Sequence, residues 1–322
     1  MNYFRFFVLV IAAGLLAGGC RKDDGSTQPQ VTDNDVIMNQ ISSIDSVADF
    51  ANTDDIMIDD QGDLPDGSLA KVMTPVKMFR WGRKVDRVVR SVSVQFIGDS
   101  AAIATITKTV SGDFVIKVSY SDTAKAPDTT IRKSYVERAR RKVLFARTGR
   151  NIHPEKNWLP VAITMVEGGI IPDSNNTFTI SSMEISLPLG KDTITDPLNT
   201  WMKFNRLRHG IPIMRAGDSA RVVLTTYSTD PDTERVFLRS ATNMMGFGMK
   251  TLRDRMQLVS STPDGSGWVR VYSKSFKGDL SMGMAIGRFN AVVDVISHGS
   301  FFDDTALFSN RFWGLPYMVL FR

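Results

Sequence analysis

The spacing of apolar and polar residues changes along the chain, and each change predicts a different kind of element. Phe6 to Leu16 (FFVLVIAAGLL) is unbroken apolar sequence, preceded by Arg5 and followed by Ala17, Gly18, Gly19 and Cys20. As a helix this run rises only about 16 Å, roughly half the thickness of a bilayer's hydrocarbon layer, so it is too short for a permanent span. Its layout is that of a secretory signal peptide over residues 1–19. Arg21 to Gln30 then holds no apolar residue, which predicts a flexible tether over residues 20–31. From Thr32 the period becomes helical. Ile37, Ile41, Ile44, Ala48 and Ala51 fall on one face, and Thr32 with Asp35 forms a capping box, so a helix is expected over Thr32–Asn52.

Beyond Val85 the period drops to two. Val88 to Phe96 leads into a turn at Gly98-Asp99, Ala102 to Thr109 alternates, a second turn is expected at Gly112-Asp113, and Phe114 to Tyr120 follows. Ser134 to Phe145, Trp158 to Val166 and Phe178 to Leu187 are further strands. Pro188, Gly190 and Pro197 break the pattern, which predicts a linker over Lys191–Leu198. Past it, strand-like runs separated by Gly, Pro and Asp turns continue from Trp201 to Phe321, the pattern of an antiparallel sandwich. The expected fold class is therefore α+β and all-β: an N-terminal helix on a curved antiparallel sheet (32–190), then a C-terminal immunoglobulin-like β-sandwich (191–322).

Composition narrows the classes. With 43% hydrophobic and 23% charged residues, the chain has material for ordinary cores. Cys20 is the only cysteine, so an exported form has no disulfide staple and must rely on packing and strand pairing. The net charge of +5 is diffuse except between Arg132 and Arg150, where eight basic residues accompany only Glu137. That stretch is expected to be a solvated, basic sheet edge, with contact to an anionic glycan or lipopolysaccharide as the alternative, and no nucleic-acid partner is expected.

Several segments resemble known families. Cys20 and the small residues before it resemble the lipobox of bacterial lipoproteins, although Ala17 stands where that family most often has a larger aliphatic residue. The resemblance implies a diacylated thiol that becomes the new N-terminus. Arg21 to Asp24 resembles the sorting tract of lipoproteins destined for the outer membrane, including some displayed on the cell surface. The order helix, strand, GDSAAIATIT, strand, basic strand, NWLPVAITMV is similar to the cone-shaped nuclear-transport-factor-like or cystatin-like sheet. AGDSARVVLTTYS and GRFNAVVDVIS resemble strands of immunoglobulin-like bacterial surface modules, without the cysteine pair or central tryptophan of true immunoglobulins.

Candidate chemistry is sparse. His153, His209 and His298 each adjoin a turn residue and have no partner at metal-ligand spacing, so all three are expected to be exposed turn histidines. No nucleophile elbow, phosphate loop or dinucleotide fingerprint occurs, and the pairs Asp59-Asp60 and Asp303-Asp304 point opposite ways in extended backbone. The acidic stretch Asp54–Asp66 lacks the ligand spacing of a calcium loop and reads as a solvated turn region. No enzyme activity, cofactor or metal is expected.

Aromatic surface is the remaining currency of recognition. Phe301, Phe302, Phe308, Phe312, Trp313, Tyr317 and Phe321 crowd the C-terminus, while Trp81 and Trp158 lie in or beside expected loops. Most of these rings are expected in the core. Phe301 and Phe302, being adjacent, are the candidate contacts for a glycan or an envelope protein. The expected function is that of an outer-membrane lipoprotein, on its periplasmic or cell-surface side, acting as a non-enzymatic binding or assembly module. Alternatives are a surface-polymer subunit that exchanges strands through Trp313–Arg322 or a released N-terminal segment, and a glycan-binding lipoprotein beside a nutrient transporter.

Overall fold

The computed structural model describes residues 32–43, 77–121, 123–149, 157–188, 190–204, 210–243, 249–278 and 286–320. The signal run, Cys20, the tether, the Asp54–Asp66 stretch, His153, His209 and Phe321 lie outside the described residues, as does the expected helix beyond Ser43. Antiparallel β-structure dominates, in two sheets with few helices.

The first helix, α1 (Asp33–Ser43), begins at the predicted capping box. It buries Ile37 and Ile41, two of the periodic apolar positions, together with Val36, and touches β1 (Lys77–Ile97) and β4 (Trp158–Thr164). β1 turns at Gly98 into β2 (Ala101–Ser119), with Ile97 opposite Ala101, and β2 pairs along its length with β3 (Thr129–Arg147). Gly98, at φ +58°, takes the left-handed conformation that the turn needs.

Two expectations fail in these strands. Gly112-Asp113 is not a turn, because β2 runs straight through it. The register of β1 shifts between Val85 and Arg87, and this irregularity brings the Lys84 carbonyl against Gly112, where a Cβ would sit 2.0 Å from the oxygen. The glycine serves a close backbone approach beside a bulge. Nor is the basic stretch an edge. β3 lies inside the sheet between β2 on one side and β4 and β5 (Val166–Ile170) on the other.

The larger sheet continues from β5 to β16 (Asn310–Leu320), β15 (Ile286–Ile296), β11 (Arg235–Asn243) and β12 (Met249–Arg255). Two short strands join it, β8 (Trp201–Lys203) beside β4 and β9 (Ile213–Arg215) parallel to β16. Seven strand spacings separate β1 from β12 in this order, which laid flat would be roughly 33 Å. Yet Arg253 of β12 stands 4.4 Å from the Trp81 ring of β1, and the Trp81 and Phe237 rings are 4.9 Å apart. The sheet therefore curls until its end strands share an interior. That interior is packed with Trp81, Phe114, Tyr135, Phe237 and, from the segment before β16, Phe301 and Phe308.

The smaller sheet has the order β13 (Gln257–Asp264), β14 (Gly267–Lys277), β10 (Ser219–Ser228), β6 (Phe178–Leu187) and β7 (Gly190–Ile194). Its Ile185, Val222, Leu224 and Phe276 share a core with Val236, Leu238, Val293, Leu315 and Tyr317 of the larger sheet, and the Phe276 and Tyr317 rings lie 5.3 Å apart. Fully burying one such side chain contributes about 1.5–3 kcal/mol.

The expected division at residues 190 and 191 does not separate these sheets. β5 pairs with β16 and β6 with β10, so strands from both sides of it share hydrogen bonds in each sheet. Lys191 to Ile194 belong to β7, which folds back on β6 with Leu187 opposite Gly190. The prolines and glycine mark a hairpin and the turn after it rather than a linker.

Candidate functional site

The end of the fold closest in sequence to Cys20 is built by the α1 N-terminus and the β1–β2 turn. Thr32 Oγ1 accepts from the Asp35 backbone N–H at 3.2 Å, while Asp35 Oδ2 accepts from the Thr32 N–H at 3.0 Å. This reciprocal box satisfies donors that a helix start leaves open. The Thr32 hydrogen bonds also hold the Asp35 carboxyl below its usual range. Between this helix start and the turn lies an open cleft of about 360 Å³, lined by Thr32, Asp33, Asn34, Phe96, Gly98, Asp99, Arg147 and Trp158. Its floor is ordered by stacking. Arg147 lies 5.5 Å over the Trp158 ring and pairs with Asp33 at 3.3 Å, and Phe96 meets Trp158 edge-on at 5.7 Å. Such a cleft offers contact area and a cation that already has a carboxylate partner, an arrangement suited to binding.

The candidate contact residues lie elsewhere, and the structure corrects the reason for choosing them. Phe301 is 4% exposed, edge-on to Trp81 at 5.1 Å and to Phe114 at 5.3 Å. Phe302 is half-buried between His298, 4.5 Å away, and Arg235, whose guanidinium sits 4.9 Å from its ring. Adjacent residues point oppositely only in extended backbone. These two belong to α2 (His298–Phe302), one helical turn capped by Ser297, whose Oγ accepts from the Ser300 N–H. In a helix they stand about 100° apart, so Phe301 enters the core while Phe302 follows its rim. The capping serine was the available signal. His298 is likewise a helix residue, and Trp81 and Trp158 are buried in strands.

The basic stretch hides the feature that sequence reasoning missed. One face of β3 carries Arg132, Arg138 and Arg140 outward; the other buries Lys133, Tyr135, Glu137, Ala139 and Arg141. Inside the curl, Arg83 Nη2 stands 3.2 Å from Glu137 and Nη1 2.9 Å from Asp294, whose same oxygen lies 3.9 Å from Arg239. Asn310 donates to the other Asp294 oxygen at 3.2 Å. Burial works against ionised Asp294, but Arg83 and Arg239 outweigh it and hold the carboxyl below its ordinary range. Glu137 is pushed up, because burial exceeds what Arg83 returns. Lys133 donates to the backbone oxygens of Gly299 and Asp303, and burial lowers its ammonium to about 8. These ion pairs reach from β1 through β3 to β15 and tie the curl together.

Among the described residues, no group of three or more His, Cys, Asp and Glu side chains is arranged to hold a metal ion, and no helix is long and apolar enough to cross a membrane. Comparison of the chain with protein-family models, with curated proteins and with solved structures found no match.

Proposed function

We propose that this chain is an outer-membrane lipoprotein whose folded part works as a non-enzymatic binding or assembly module of the cell envelope. The observation that carries this reading is Cys20, which closes a short apolar run behind two glycines and stands only twelve positions before the capped start of α1. The interior acids and bases favour the non-enzymatic half of it. Arg83, Glu137 and Asp294 are almost wholly buried and engaged with one another, leaving them without access to a substrate.

In fold terms, we read α1 over β1 and β4 as the helix of a helix-on-curved-sheet unit. The smaller sheet against β11, β15 and β16 is its sandwich, with immunoglobulin-like character. The alternatives weaken on specific observations. β16 is paired on both sides, so a subunit that donated Trp313–Arg322 would have to open its own larger sheet. The rings chosen for glycan contact are packed in the core or along its rim.

The test is incorporation of labelled palmitate in a bacterial host. The wild-type chain should be labelled and fractionate with outer membranes, and Cys20→Ser should be neither. Labelling that survives Cys20→Ser would overturn the anchor.

A further inference from the structure

The outer face of β1 to β4 is not uniform along its length. Residues directly opposite one another across an antiparallel pair project to the same side. At the end beside the α1 cleft, one such row is Ile97, Ala101, Ala146 and Leu159, and Ile97 and Leu159 are each 48% exposed. The next row holds Gln95, Ile103 and Leu144. Farther from the turn the same face changes character: Thr105, Thr107 and Thr109 lie opposite Lys142, Arg140 and Arg138. Phe96, 44% exposed, extends the apolar tip around the edge of β1.

We infer that this tip docks on the bilayer surface, resting on the reading of Cys20 as the anchor. Three observations choose lipid as the occupant. The chain between Cys20 and Thr32 spans at most about 40 Å, and Thr32 lines the cleft beside the tip, so an acylated Cys20 keeps this end of the fold near the membrane. The apolar rows lie immediately behind the Gly98-Asp99-Ser100 turn that ends the hairpin. Lys142 stands four residues along β3 from Ala146, about 14 Å away, and Arg140 and Arg138 follow. With the tip inserted by about 5–10 Å, as interfacial elements are, Lys142 meets the headgroup layer, while Arg140 and Arg138, about 20 and 27 Å from Ala146, stand above it.

The test uses the fact that Cys20 is the only cysteine. In the acylated chain its thiol is consumed, so an introduced cysteine carries a polarity-sensitive fluorophore alone. Ile97→Cys, Leu159→Cys and, as a control on the exposed strand β13, Val259→Cys are labelled and reconstituted on vesicles of phosphatidylethanolamine and phosphatidylglycerol. Labels at 97 and 159 should shift to the blue and be quenched by lipid-borne quencher, while the label at 259 stays in water. Charge reversal at Lys142 should lower the docked fraction about fivefold, and reversal at Arg138, about 27 Å from Ala146, should change it little. A parallel arm carries Cys20→Ser and an N-terminal histidine tag captured on nickel-chelating lipid. Quenching there, with no palmitate incorporated by the wild type in cells, would sustain docking and remove the anchor. Acylated protein whose labels at 97 and 159 behave like the one at 259 would overturn docking and leave the patch to a protein partner.

Discussion

Arg270 and Arg83 are both buried arginines facing buried carboxylates, but the two regions treat them differently. At one rim of the smaller sheet, Arg270 is bound at every nitrogen. Nη1 donates to Glu234 at 2.8 Å, Nη2 to the carbonyls of Asp230 and Pro231 at 2.7 and 2.9 Å, and Nε to Ser261 at 3.4 Å. Glu234 also accepts from the Tyr272 hydroxyl at 2.8 Å. Inside the larger sheet, Arg83 lies between Glu137 and Asp294, at 3.2 and 2.9 Å, and among the described residues it has no carbonyl or hydroxyl partner of the kind Arg270 has. The first is a directional brace on the loop before β11. The second is charge balance within an aromatic interior, and desolvation can cancel most of what such balance contributes.

The largest expected effects separate the two. Arg270→Met should cost about 3–5 kcal/mol, because it strands Glu234 in the interior and removes the donor of the Asp230 and Pro231 carbonyls. Adding Glu234→Leu should recover only part of it, since the Asp230 and Pro231 carbonyls stay without their donor and the Tyr272 hydroxyl keeps only its 3.4 Å contact to the residue-234 carbonyl. Arg83→Met should cost a similar amount alone, and Arg83→Met with Asp294→Leu should recover more of it than the Arg270 pair does, short of wild type because Glu137, Arg239 and the Asn310 amide each lose a partner. Urea denaturation of the four variants measures this. Equal losses in the two double variants would break the comparison.

The interior around Arg83 supplies the next effect. Phe301 packs against Trp81 and Phe114, so Phe301→Ala should cost about 3–5 kcal/mol. Phe302, on the rim, should lose less than half of that on truncation. A thermal melt distinguishes them, and equal small shifts would return both rings to the surface.

Much of this was legible in the sequence where a single element carries its own signal. Phe178–Leu187 alternates and is β6, Gly98-Asp99 is the turn between β1 and β2, and Thr32 with Asp35 does cap α1. What failed was whatever depends on a distant partner. Gly112 resembles a turn glycine until the irregularity in β1 is known. The charges of β3 resemble a solvated edge because their partners are Arg83 on β1 and Asp294 on β15, and no local pattern encodes that meeting. The expected boundary at 190 failed for the same reason: a proline-rich hairpin and a linker look alike until β6 is seen to pair with β10.

A smaller effect follows from Lys133, on the same buried face of β3 as Glu137. Its ammonium is lowered to about 8 from 10.5, so the folded chain releases this proton before the unfolded chain does. The unfolded state then binds more protons between these values, and stability rises with pH there. The contribution is fully present above 10.5 and is lost as pH falls through about 8. Partial solvent access limits the gain to about 1–2 kcal/mol. Lys133→Met removes the rise. Because it also leaves the Gly299 and Asp303 carbonyls without their donor, the comparison to make is the difference in slope between pH 8 and 10, and parallel curves would sink the assignment.

The smallest effect tests whether the anchor-proximal end stands apart from both interiors. Thr32→Ala removes the side-chain acceptor of the Asp35 N–H and should cost about 1 kcal/mol, the usual price of an N-cap. If α1 is secured mainly by Val36, Ile37 and Ile41 in the core, the loss stays at its first turn. Hydrogen exchange should then quicken there, while the amides of β3 and β10 keep their protection, because local opening need not involve the sheets. Thr32→Ser, which restores the acceptor, should return the first turn to its original exchange rate. If exchange instead quickens equally across β3, α1 is coupled to the curled sheet as tightly as Arg83 is, and the cleft beside it would be an extension of that interior.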